Sequence, residues 1–325
     1  MLEDMGLACL AADAYTTRRQ PVCGSRRCER SLVKITLHWL AVAVGSLLPV
    51  AFTQGQNLFV SSGISGQPFN YNIFEFTPSG VQSTFASGLR GPSGLAFNSA
   101  GNLFEADEDS GNIYEFTPNG ASITFASGLT YPAGLAFDRA GNLFESSDTP
   151  GFIYEFTPSG ARSTFASGLS AAQMAFNIAG YLFEADQVSG NIYEFTPNGA
   201  SITFASGLFL PTGLAFDSAG NLFVSDANNN GTIVKFLPNG ASITFATGLG
   251  DHPHCLAFDG AGNLFLASGG IQEFTPDGTH SNFASGLDSP MCLAFAPVPE
   301  ASTWFLGMLG VACLISSLRS RRGPQ

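Results

Sequence analysis

The segment Gly250-Asp251-His252-Pro253-His254-Cys255 holds two of the chain's four histidines beside an aspartate. Imidazole changes charge close to neutral pH, so this pair could bind a metal or move a proton, and His254 is the catalytic candidate. Loop histidines without chemistry are the commoner case, and that reading competes with it. A second cluster is Asp226, Asn228, Asn230 and Gly231, whose oxygens recur at alternate positions as they do at the start of a calcium loop. The twelfth place is Leu237 where a bidentate Glu is required, so the segment is no EF-hand, and a long hairpin turn explains the same letters.

A third set emerges only on alignment. Asp107, Asp186 and Asp226 occupy matching places, as do Glu105, Glu145 and Glu184 two residues earlier in each run. Carboxylates that converge could hold a divalent cation. Val60, Val224 and Leu266 stand where three more Glu would be needed, so the expectation is no cofactor, with a divalent cation as the alternative. No phosphate loop and no nucleophile paired with a base accompanies these groups. Of the six cysteines, Cys255 and Cys292 stand at one register, each before Leu-Ala-Phe in adjoining units. An oxidising compartment permits a disulfide between them, but the Cα separation it needs is not fixed by sequence, so free thiols and a bridge both stay open, with free thiols preferred.

What must position these residues is a repeat. The stretch NIYEFTPNGASITFASGL occurs at 112–129 and again at 191–208. Four recurring steps, ending for example at Phe59, Phe76, Phe85 and Phe97, return six times and account for 24 of the 30 Phe. Each unit of roughly 40 residues carries four short apolar runs separated by Gly, Asn, Asp or Pro, the signature of four strands joined by tight turns. Such units stack about an axis, so the expected fold is all-β: a six-bladed β-propeller of four-stranded antiparallel blades. The first unit lacks its GLAF strand and an extra CLAF follows the last unit at 292–295, so the C-terminal strand should close the ring. An open β-solenoid, which would need polar caps, is the alternative.

In such blades alternate connections share one end. First-to-second turns (NSAG, DRAG, NIAG, DSAG, DGAG) and third-to-fourth turns (TPSG, TPNG, LPNG, TPDG) are nearly constant and read as chain reversal. Second-to-third and blade-to-blade loops vary, and variable loops on a rigid scaffold are where binding is sought. The binding-face candidates are therefore Asp107, Asp186, Asp226, Asn228, His252 and His254.

The pattern GLAFDSAGNLFVSDANNNGTIVKFLPNG resembles NHL and gluconolactonase-like six-bladed propellers and the streptogramin lyase propeller, over about residues 57–296. The first resemblance implies a lactonase-like hydrolase whose family holds a cation with a Glu, Asn and Asp set, which cannot be carried over whole. The second implies a lyase His in a Pro-His step, matched here by Pro253-His254, while Met291 stands where a second His would be expected. The fold follows from the motif far more firmly than the activity does.

The ends suggest an address. Arg26, Arg27, Arg30 and Lys34 precede the apolar run 35–52, and Ala51 and Thr53 offer a cleavage point, so residues 1–53 read as leader and secretory signal peptide. The body, 54–297, should be the propeller; residues 54–300 carry 21 acids against four bases, a balance that argues against nucleic acid. Residues 298–325 resemble the PEP-CTERM sorting signal: Val298, Pro299 and Glu300, then an apolar helix through the membrane over 302–318, then Arg319, Arg321 and Arg322. Ala301 departs from that pattern where a second Pro belongs. The resemblance implies an exosortase-type processing enzyme as partner and a place at the envelope, outer surface or extracellular matrix of a bacterium. An exported binding or structural module, with extracellular polysaccharide or a surface protein as partner, is the expected function.

Overall fold

A computed structural model of the chain describes residues 55–63, 71–147, 151–228, 230–250 and 253–298. The expected leader and signal, His252, and the tail from Pro299 on with Glu300, Arg319, Arg321 and Arg322 lie outside the described residues.

The described residues form six four-stranded antiparallel sheets. Blade two is β4 (Pro92–Phe97), β5 (Leu103–Asp107), β6 (Asn112–Phe116) and β7 (Ser122–Ala126). Blade three is β8 (Pro132–Phe137), β9 (Leu143–Ser147), β10 (Phe152–Phe156) and β11 (Arg162–Ser167). Blade four runs β12 (Ala171–Phe176), β13 (Leu182–Asp186), β14 (Asn191–Phe195) and β15 (Ser201–Ala205). Blade five runs β16 (Pro211–Phe216), β17 (Leu222–Asp226), β18 (Thr232–Phe236) and β19 (Ser242–Thr247). Blade six is β20 (Leu256–Phe258), β21 (Leu264–Ala267), β22 (Ile271–Phe274) and β23 (His280–Ala284). Blade one is assembled from both ends: β1 (Leu58–Gly63), β2 (Tyr71–Phe76) and β3 (Gln82–Leu89), with β24 (Asp288–Phe295) on the inner edge of β1.

Burial explains why these runs are strands. Each second strand lies between two neighbouring blades, so both of its faces are covered and its sequence shows little alternation. In β5, β9, β13 and β17 every residue is buried, whereas the outer strands β7 and β15 begin with three exposed residues. The constant first-to-second turns hold themselves: the side chains of Asn98, Asp138, Asn177, Asp217 and Asp259 each accept the backbone N–H four residues on, at 2.8–2.9 Å.

Phenylalanine fills every seam in the same way. Phe104 of β5 stands edge-on to Phe125 of its own blade at 5.1 Å and to Phe137 of the next blade at 5.0 Å, and Phe125 in turn meets Phe156. Edge-to-face pairs suit the ring quadrupole and supply both apolar burial and angular preference. The sixth seam uses Phe265, Phe283, Phe295 and Phe76, so the last strand contributes the ring that the first unit lacks. Closure is also hydrogen-bonded: β24 pairs with β1 at Leu58↔Phe295 through Ser61↔Cys292, and Gln56 bridges Ala296 O at 2.7 Å and Gly260 N at 2.6 Å. An open solenoid is thereby excluded. No helix occurs among the described residues, so the expected signal and tail helices fall outside what the structure describes.

Candidate functional site

Antiparallel order puts the first-to-second and third-to-fourth turns at one end of each blade and the variable loops at the other. Around the axis at the variable end lies a small cavity of about 140 Å³. Each inner strand contributes the residue after its Pro step, or after Ala171 in blade four: Met291, Ser93, Ala133, Ala172, Thr212 and His254, in blade order. Gln173 also faces it, and Glu108 and Gln187 reach it from second-to-third loops.

The backbone fixes where His254 sits. Its N–H donates to Ala267 O at 2.8 Å and its carbonyl accepts Ser225 Oγ at 2.6 Å, so blades five and six both hold the residue at the mouth. The same Ser225 hydroxyl accepts Gly213 N–H at 2.6 Å, and Thr212 Oγ1 donates to Pro253 O at 2.6 Å. Ser146 repeats the bridge between blades three and four, accepting from Gly134 N–H and donating to Ala172 O, both at 2.8 Å.

The aspartates are placed differently. Asp107, 1% exposed, accepts the backbone N–H of Arg90 at 2.7 Å and of Ser110 at 3.0 Å. Asp186 accepts Ser170 N–H and Ser189 N–H, both at 2.8 Å, and Asp226 accepts Phe209 N–H at 2.8 Å and Asn228 N–H at 3.2 Å. Each ties the incoming blade-to-blade loop to its own hairpin. Burial raises the Asp226 carboxyl and the two amides pull it back. Asn228 and Asn230 are exposed in a turn: Asn228 O accepts Gly231 N–H at 3.0 Å, and Asn230 has φ of 63° and accepts Gly250 N–H at 3.0 Å. None of these residues lines the cavity; of the expected binding-face residues that the structure describes, only His254 does.

Glu105, Glu145 and Glu184 are fully buried, each between its own blade and the preceding one. Leu103, on the same face of β5 as Glu105, packs with blade one, while Phe104 and Ala106 pack toward blade three. Among the described residues the carboxyl oxygens of Glu105 and Glu184 have no hydrogen-bond partner, and Glu145 accepts Ser147 Oγ at 2.9 Å with one oxygen. Burial pushes the Glu145 carboxyl up to about 8, that of Glu184, with help from Asp186, up to about 9, and that of Glu105 well above the usual range. Glu145 and Glu184 are neutral acids at neutral pH. A gluconolactonase-type cation needs several oxygen donors aimed at one point. Among the described residues no three His, Cys, Asp or Glu side chains converge in that way.

Sequence reasoning missed Ser93, Glu108, Gln173, Gln187 and Thr212. For Ser93 and Thr212 the signal lay in one aligned column, the residue after each inner-strand Pro step or after Ala171 in blade four, which holds five residue types in six blades; Glu108, Gln173 and Gln187 stand outside it.

The NHL repeat family matches residues 210–236, from the start of blade five through β18. No curated protein matches the chain in sequence. A gluconolactonase of Xanthomonas campestris superposes with a TM-score of 0.59 at 16% identity, covering 74% of this chain and 95% of that one. A streptogramin B lyase gives 0.56 at 14%, covering 77% and 92%, and the virginiamycin B lyase of Staphylococcus aureus gives 0.54 at 14%, covering 72% and 89%. At such identities the likeness is one of fold. The chain is a six-bladed β-propeller that contains an NHL repeat and folds as gluconolactonase and streptogramin lyase propellers do.

Proposed function

We propose that this chain is an exported binding or structural module whose loop-face cavity takes a neutral, hydroxyl-rich ligand of the saccharide class. One observation carries the reading: the blades repeat almost everywhere, yet the six positions that ring the mouth hold five residue types, with only blades three and four alike. A scaffold alone gives no reason for that divergence. Ser93, Gln173, Gln187 and Thr212 bring uncharged hydroxyl and amide groups to one small space, the kind of set that orients a polar, uncharged ligand. The acidic body disfavours nucleic acid and other polyanions.

The address rests on the ends. Residues 1–53 would direct export, and the tail from Val298 would be handled by an exosortase-type enzyme after holding the chain in the membrane through 302–318. Extracellular polysaccharide at the envelope or matrix of a bacterium would then be the ligand's source. The test is a neutral-glycan array with the purified chain, and fractionation of cells that express it with and without residues 298–325. Binding of at least one saccharide, and release of the truncated chain from the envelope, support the reading.

A specific observation favours a second reading. His254 and Glu108 both line the cavity, on a fold shared with enzymes, so a lactonase-like hydrolase or a streptogramin-lyase-like enzyme would use His254 to hold or move a proton. Turnover of lactones or of a streptogramin B that vanishes in His254→Ala would favour it, and a chelator arm would report a divalent cation.

A further inference from the structure

Cys255 directly precedes β20 of blade six and Cys292 lies in β24 of blade one, and both are buried. Their Sγ atoms are 2.9 Å apart, closer than two sulfurs rest without a bond. The same position in blades two, three and five is glycine. There a Cβ would stand 2.1–2.3 Å from a carbonyl oxygen of the following blade, Ala133 O for Gly94, Ala172 O for Gly134 and His254 O for Gly213. Those seams bring backbone onto backbone and have no room for a side chain. The seam between blades six and one accommodates two, and they meet each other. Among the described residues no serine bridges this seam: Ala267 occupies the place that Ser146 and Ser225 fill in blades three and five, as Ala106 and Ala185 do in blades two and four.

We propose that Cys255 and Cys292 are a cross-linking site, joined by a disulfide that fastens the ring-closing strand β24 to blade six. The oxidant is a small-molecule or protein disulfide. One cysteine thiolate attacks it, breaking its S–S bond, forming a mixed disulfide and releasing one thiol. The second cysteine attacks the mixed disulfide, forms the Cys255–Cys292 bond and releases the other thiol. Two protons leave the cysteines and end on the two released thiols, so the cysteines are oxidised by two electrons and the oxidant is reduced by two. Cys255 lines the mouth cavity, which gives a small disulfide its way in. The hydrogen bond that Cys255 shares with Cys292 and its burial push the Cys255 thiol well up, while the same hydrogen bond holds the Cys292 thiol down, so Cys292 is the thiolate of the pair.

The structural consequence is specific to this seam. Every other blade is continuous chain, but blade one is held together by pairing between the two ends of the body. The bond would enclose the 37-residue separation that contains blade six, and β24 could no longer leave β1 without taking that blade with it.

The experiment uses the full chain, incubated with oxidised glutathione, unfolded in iodoacetamide, digested and mapped by mass spectrometry, beside a reduced sample. We expect Cys255 and Cys292 peptides joined to each other, two hydrogens lighter than their sum, and separated by reductant. The oxidised chain should melt at least about 5 °C above the reduced one, and a Cys255→Ala, Cys292→Ala variant should show no response to reductant. Complete alkylation of both residues after oxidation would overturn the proposal, as would their pairing with Cys9, Cys23, Cys28 or Cys313. A linked pair with an unchanged melting temperature would overturn the fastening role. The peptide map decides the bond even if the alanine variant fails to fold.

Discussion

Phe265 and Phe295 stand edge-on, with ring centroids 4.9 Å apart and planes at 71°, although one belongs to the sixth repeat and the other to the strand that follows it. Phe104 and Phe137 make the same contact between blades two and three, at 5.0 Å and 79°. Ring closure is therefore built from the same part as every internal seam.

If so, the terminal contact should matter as much as an internal one. Phe295→Ala should cost about 3–5 kcal/mol, and Phe137→Ala a similar amount, in one cooperative denaturant transition. Closely matched losses are the expected outcome. A near-neutral Phe295→Ala beside a costly Phe137→Ala would mean that β24 is not part of the folded ring.

The buried acids make stability depend on pH in an unusual direction. Glu145 and Glu184 titrate near 8 and 9 when folded, and Glu105 is also raised, against an ordinary value of 4.5. The folded state thus binds protons that the unfolded state releases. The contribution is complete below about pH 4.5, declines as pH rises, and is lost through 8 to 9. Melting temperatures from pH 5 to 9 should fall steadily, each such group adding at most about 1.4 kcal/mol per pH unit. A profile that rises over this range would contradict the burial of these carboxyls.

Glu184→Val should stabilise the chain at pH 8. Val60, Val224 and Leu266 hold the matching place in three other blades and are fully buried there, so the backbone accepts the apolar side chain. Removing an unpaired buried carboxyl should gain about 1–3 kcal/mol and flatten the pH profile. Glu184→Gln, which leaves polar atoms in the same seam, should not reproduce the gain.

Asp186 is a tether. Asp186→Ala frees the backbone N–H groups of Ser170 and Ser189 and should cost about 1–3 kcal/mol. Calorimetric titration with calcium should give the same heat for the variant and the unsubstituted chain; a heat that only the unsubstituted chain shows would make the carboxylate a ligand instead.

The fold was legible because its cause is periodic. Phe at four fixed steps, Asn or Asp opening each first-to-second turn and the displaced CLAF strand all leave marks in the letters, and each maps onto a seam, a turn or the closure. The site was legible only in part. His254 stood out as a residue type, but Ser93, Gln173 and Thr212 are ordinary residues made significant by convergence at the axis, which no local pattern encodes. Asp107, Asp186 and Asp226 illustrate the opposite difficulty: a carboxylate that caps a loop and one that binds a ligand look alike until the partners of its oxygens are known. The meeting of Cys255 and Cys292 required three-dimensional closure as well, since register alone does not give the distance between neighbouring inner strands.

The most direct test of the binding reading is to fill the mouth and leave the ring intact. Ala133 faces the cavity, and Ala133→Trp should occupy it while the melting temperature stays within a few degrees. Titration of the full chain with the strongest saccharide from the neutral-glycan array, followed by calorimetry, should show binding that drops at least about tenfold in the filled variant. Equal affinity in both chains, or no binding by the unsubstituted chain to any glycan on the array, would contradict a ligand site at the channel mouth.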